Sequence, residues 1–148
     1  MFRHPVAIEP DDIDSMGHVN NAVYLKWVQE AVIDYWSSVA PPSAVAKHLW
    51  VALKHEITYL RPTFLQDNVV AEVIAEKVEG ARAFFRTVLR RGDEVLSEIE
   101  SCWCCLDAAT KRPARLAGDI VEYFVVSGAE ALCSSHRPSA KAASAPVA

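Results

Sequence analysis

The chain has 148 residues, room for one ordinary domain and too few for two sizeable ones. Hydrophobic residues make up 51% and charged residues 23%. That balance excludes disorder throughout and supplies a core. Fifteen basic against nineteen acidic residues, a net charge of −4, argue against a general nucleic-acid binder.

No uncharged apolar stretch approaches the roughly 18–20 residues that span a bilayer, so no membrane partner is expected. The opening Met1-Phe2-Arg3-His4-Pro5 lacks the charged-then-apolar layout of a secretory signal, and the cytoplasm is the expected location.

In chain order, an apolar stretch near Phe2 to Ile8 reads as a first strand. A polar loop follows from Glu9 to His18, punctuated by Pro10 and Gly17. From Asn21 to about Val39 the pattern turns helical: Leu25, Val28, Val32, Tyr35, Trp36 and Val39 recur at spacings of three and four. Trp27 widens that stripe, while Lys26, Glu30, Asp34 and Ser37 share the opposite face. Asn20 or Asn21 is the expected N-cap, and Pro41-Pro42 stops the helix.

The remainder reads as strands. Trp50 to Leu60 alternates, with Val51, Leu53, His55, Ile57 and Tyr59 on one face and Lys54, Glu56 and Thr58 on the other. Asn68 to Val78, Arg82 to Arg91 and Glu94 to Leu106 follow, divided by hairpin turns at Gly80 and Gly92. Asp119 to Val126 suits either helix or strand. Strands running on after one long apolar helix predict an α+β fold, an antiparallel sheet curved around that helix. The domain is expected over residues 1–133. Residues 134–148, an Ala/Ser/Pro-rich tail, are too poor in large apolar side chains to offset their ordering entropy and are read as disordered.

Cys102, Cys104, Cys105 and Cys133 match neither a disulfide framework nor a zinc knuckle; they read as small buried hydrophobes. Neither a metal site nor a dinucleotide fingerprint is found. His4, His48 and His136 show no partnered motif, and His55 reads as a core histidine or a pocket lining.

The segment suited to chemistry is Asp14-Ser15-Met16-Gly17-His18-Val19-Asn20-Asn21-Ala22-Val23-Tyr24. A carboxylate, a glycine and an imidazole stand just before a helix start. Free N–H groups there can polarise a carbonyl oxygen. A nearby carboxylate can activate water or attack an acyl carbon. The same residues would also serve as ordinary caps and hydrogen-bonding groups.

Asp-x-x-Gly-His-Val-Asn-Asn-x-x-Tyr, with Glu30 on the same helix, resembles the hot-dog thioesterases. The style is that of the 4-hydroxybenzoyl-CoA group and of the plant acyl-carrier-protein thioesterases. The stretch Lys54 to Pro62, with Gln66-Asp67, is similar to that group's second signature. The resemblance covers roughly residues 1–126 and implies a hot-dog fold that hydrolyses an acyl thioester, either acyl-CoA or acyl carrier protein. It implies no cofactor beyond the coenzyme A of the substrate.

By the same resemblance Asp14 is nucleophile or general base. Asn21 offers its backbone N–H to the thioester oxygen, His18 lies in the site, and Glu30 is the reserve carboxylate. Gly17, Asn20, Tyr24 and Tyr59 are substrate-binding candidates, and Met16, Trp27, Trp50 and Tyr59 are candidates for the pocket wall. Met16 stands where plant-type members carry Asn, which leaves a simpler site centred on Asp14. Arg86 and Arg90, on a basic strand face with Arg82 and Arg91, are either a solvated edge or contacts for coenzyme A phosphates. The family pairs sheets edge to edge, so a homodimer or a homotetramer with sites at the interface is expected. The competing readings are a non-catalytic acyl-thioester-binding module and a hot-dog dehydratase or hydratase.

Overall fold

The computed structural model describes residues 2–125, so the expected tail, Cys133 and His136 lie outside the described residues. Strand β1 (Phe2–Val6) leads through a 3-10 turn (Pro10–Asp12) to helix α1 (Val23–Val39) and helix α2 (Pro42–Lys47). Strands β2 (His48–Tyr59), β3 (Val69–Glu79), β4 (Arg82–Arg91) and β5 (Glu94–Asp107) follow. Residues 118–125, open between helix and strand by sequence, form helix α3. The sheet has the order β1-β3-β4-β5-β2, with every neighbouring pair antiparallel. This is the expected α+β architecture.

Helix α1 lies against one face of the sheet because its rings cannot stay in water. Tyr24, Trp27, Val28, Ala31, Val32, Tyr35 and Trp36 are all buried, at spacings of three and four. Under it Ala71, Val73, Ala75, Ala83 and Leu89 leave room for those rings, and Phe85 and Trp103 on the same face pack among them. Helix α3 closes the far end of α1. The Tyr35 hydroxyl donates to the Phe124 carbonyl at 2.8 Å, and the rings of Tyr35, Trp36, Trp50 and Phe85 surround Phe124. Burial pushes the Tyr35 hydroxyl up to about 12.

Several expectations need correction. Leu25 is exposed, and Tyr24 takes its place in the stripe because its hydroxyl finds Thr63 inside. The N-cap position is Ala22, not an asparagine; Asn20 caps from further back, its Oδ1 accepting the Ala22 N–H at 2.9 Å. Pro41-Pro42 ends α1 but also opens α2, since proline early in a helix sacrifices no intrahelical bond.

Val51 and Leu53 do not share the inner face. A bulge between Ala52 and Lys54 inserts one residue against β5. Trp50 and Ala52 therefore point inward before it, with His55 and Ile57 after it. Val51 and Leu53 are 44% and 50% exposed. Similar shifts at Ala75/Lys77 and Leu89/Arg90 bend the sheet around the helix.

Cys105 is buried on the inner face, its thiol pushed up to about 11 by desolvation, and is inert. Cys102 and Cys104, on the other face, are half-buried.

Candidate active site

The site forms where the loop before α1 meets the connection after β2. Asp14 and Gly17 build a tight turn: the Gly17 N–H donates to the Asp14 carbonyl at 3.0 Å, and the Asp14 N–H to the His18 carbonyl at 2.9 Å. Gly17 sits at φ +88°, a conformation that a side chain disfavours. Beyond the turn the Val19 N–H donates to the Thr63 carbonyl (2.8 Å) and the Asn20 N–H to the Asp12 carbonyl (2.8 Å). The first of these bonds pins the loop to the chain after β2, and the second closes the loop on itself.

That connection is held in turn. The Asp67 carboxylate accepts the Phe64 N–H at 2.8 Å and pairs with Arg91 at 2.6 Å. The same guanidinium reaches the Pro62 carbonyl at 3.2 Å and Glu94 at 3.0 Å. Asp67 and Glu94 hold the Arg91 guanidinium above its ordinary range.

Between these walls lies a groove of about 240 Å³, lined by His18, Val19, Asn21, Tyr24 and residues 59–62. The structure thus brings together four of the expected residues, His18, Asn21, Tyr24 and Tyr59. The Tyr24 hydroxyl is 2.7 Å from Thr63 Oγ1, and the Tyr59 hydroxyl donates to the Asn21 carbonyl at 2.9 Å. The two rings meet edge to face at 5.1 Å. Burial raises both phenol pKa values, so both rings stay neutral at neutral pH.

From Val19 to Tyr24 the backbone N–H groups are nearly all occupied. Those of Val19 and Asn20 are used as described, Ala22 donates to Asn20 Oδ1, and Val23 to the Asn20 carbonyl at 2.9 Å. Tyr24 donates to the Asn21 carbonyl at 3.4 Å. Among the described residues, the Asn21 N–H alone in this run donates to no acceptor.

Asp14 stands beside the groove rather than on its wall. Its Oδ1 accepts the Met16 N–H at 2.9 Å and lies 3.8 Å from His18 Nδ1, too long for a hydrogen bond. His18 and Asp14 are both part-exposed, and the His18 ring packs edge-on against Phe64. Gly17 and Asn20 shape the loop, with Met16 exposed at its tip.

Other expected residues fall elsewhere. Glu30 is on the exposed face of α1, away from the buried stripe. Trp27 is buried in the core, and Trp50 packs against Trp36 and Phe124 at the other end of α1. Arg86 and Arg90 project from the sheet face opposite α1, ion-paired to Glu98 (3.3 Å) and Glu72 (2.7 Å). The cation at the groove is Arg61, half-exposed and 3.5 Å from Glu94. Arg61 and Thr63 are not among the site residues expected from sequence, and Arg91, expected on the basic face of β4, instead braces the connection after β2 through Asp67. The nearness of Arg61 and Thr63 to the second signature was the available signal.

Residues 16–98 match the family model described as Thioesterase superfamily. The chain belongs to the thioesterase superfamily. A thioesterase of Thermus thermophilus, crystallised with coenzyme A and zinc, is 29% identical to it. The match covers 82% of this chain and 95% of that one, with a TM-score of 0.72. The probable thioesterase YbaW of Escherichia coli (20% identity, 84% and 97% covered, TM-score 0.69) shares the fold. So does Slr0204, a 1,4-dihydroxy-2-naphthoyl-CoA thioesterase from Synechocystis (14%, 84% and 95%, 0.68). No curated protein matches. The hot-dog fold expected from the two signatures is thereby shown, and membership supports thioester hydrolysis as the general chemistry. Among the described residues, no helix is long and apolar enough to cross a membrane.

Proposed function

We propose that this thioesterase-superfamily protein hydrolyses acyl-CoA thioesters at the groove beside the start of α1. The carrying observation is the free N–H of Asn21, which sits between anchored neighbours on a groove whose wall also holds His18. A thioester oxygen hydrogen-bonded to that N–H gains stabilisation as negative charge develops on it. The positive end of the helix dipole adds to the effect. Asp14, beside His18, supplies the carboxylate, as general base to water or as nucleophile at the carbonyl carbon. On the second route the thiol leaves as an acyl anhydride forms on Asp14, and water then opens the anhydride; either route ends in a carboxylic acid and a free thiol. Coenzyme A enters as part of the substrate, and the Thermus relative crystallised with it supports acyl-CoA over acyl carrier protein.

The reading includes a homodimer joined along β2, with the pocket completed in trans. Support comes from the apolar side chains exposed along that edge, and from the place of Asp14 beside the groove of its own chain rather than on its wall.

Thiol release measured across short, long and aromatic acyl-CoAs tests the activity. Asp14→Asn is expected to lower kcat by about two orders of magnitude or more with the fold intact. A variant with near-full hydrolysis would remove Asp14 from its role and turn attention to Glu30→Gln. Tight acyl-CoA binding without thiol release would instead favour the non-catalytic binding module.

A further inference from the structure

We propose that Tyr59 is a positioning residue. Its hydroxyl, spent on the Asn21 carbonyl, holds the Asn21 N–H in line with the reacting oxygen instead of touching the substrate. This rests on the proposed thioesterase reading and extends it to a residue 38 positions away on the sheet.

The geometry is one of two adjoining peptide groups. The peptide joining Asn21 to Ala22 is held at both ends by side chains: Tyr59 Oη on its oxygen at 2.9 Å and Asn20 Oδ1 on its N–H at 2.9 Å. The peptide joining Asn20 to Asn21 is held at its oxygen by the Val23 N–H at 2.9 Å. Its N–H is the free one. With three of the four polar ends tied, the φ and ψ angles of Asn21 have little freedom, and the fourth end points in one direction. Without the Tyr59 hydroxyl, the Asn21 carbonyl keeps only the long 3.4 Å contact from the Tyr24 N–H, and residue 21 can turn.

Tyr59 is itself braced. Its ring meets Tyr24 edge to face, and Tyr24 is tied to fully buried Thr63. The bond therefore spans from the end of β2 to the start of α1 and sets the distance between the groove's walls. A prepaid orientation of this kind matters most when charge appears on the oxygen, because the donor then need not reorganise.

Tyr59→Phe removes the hydroxyl and keeps the ring. Since Tyr59 is 42% exposed, the fold is expected to survive, with a melting temperature within roughly 3–4 °C of the parent's. Steady-state thiol release should show kcat down about tenfold with KM within about twofold of the parent. In a 15N-labelled sample the Asn21 amide resonance should shift. A normal kcat, or a raised KM at normal kcat (the mark of a direct substrate contact), would overturn the proposal. If the parent protein releases no thiol from any acyl-CoA, the thioesterase reading fails by itself. The amide resonance then decides the positioning role: an Asn21 signal unmoved by Tyr59→Phe refutes it.

Discussion

His55 points to the inner face of β2 with both ring nitrogens buried and without a hydrogen-bond partner among the described residues. Its ring packs edge-on against Trp103 at 5.9 Å. Desolvation lowers its pKa below the ordinary 6.5, so the folded protein holds it neutral. The linkage sign follows. Between the lowered folded pKa and 6.5 the unfolded chain binds the proton more readily, so stability is full above 6.5 and declines as pH falls through that window. Thermal melts from about pH 8 down to about pH 5 should show a falling melting temperature. His55→Phe, which keeps an aromatic ring against Trp103, should flatten that fall. Equal slopes for the two proteins would mean that acid acts elsewhere. Whether His55 belonged to core or pocket could not be read locally, because the answer lies in Trp103 and the bulge that turns β2.

At the level of elements, the entry to α1 depends on one amide. Asn20 Oδ1 takes the Ala22 N–H and its carbonyl takes that of Val23. Asn20→Ala should cost about 1 kcal/mol, a drop of roughly 3–4 °C in melting temperature, as for other lost caps. A melt superimposable on the parent's would show that water replaces the bond without loss. The helix itself was legible because its period is local: Trp27, Val28, Val32, Tyr35 and Trp36 are buried as their spacing requires. Strand β2 was half legible. Alternation placed Ile57 inward, but the extra residue at the bulge turned Val51 and Leu53 outward, and no feature of the chain around residue 53 announces a bulge. The basic face of β4 was legible for Arg82, Arg86 and Arg90, but Arg91 alternates to the other side and reaches Asp67, and Glu72 and Glu98, which neutralise Arg90 and Arg86, arrive from other strands.

For the whole molecule, β2 is an edge of the five-stranded sheet, twelve residues long, with Leu49, Val51 and Leu53 exposed along it. Such an edge invites pairing. If the proposed dimer forms there, Val51→Asp with Leu53→Asp should turn a dimer into a monomer by light scattering. Hydrolysis should fall with it, because the pocket is shared. A monomeric parent protein, or an active monomeric variant, would dissolve the proposal of a site completed in trans.

By itself the order of residues determined the α+β class, the long central helix, the two hairpin turns and the loop holding Asp14, His18 and Asn21. Each of these follows from spacing or composition within a few neighbouring residues. Only the tertiary structure decided that Asp14 stands beside the groove, that Arg86 and Arg90 face away from it, and that Tyr59 ties down the carbonyl of Asn21. Those outcomes turn on which strand face a side chain takes and on hydrogen bonds between residues far apart in the chain. Both are settled when the sheet closes around the helix.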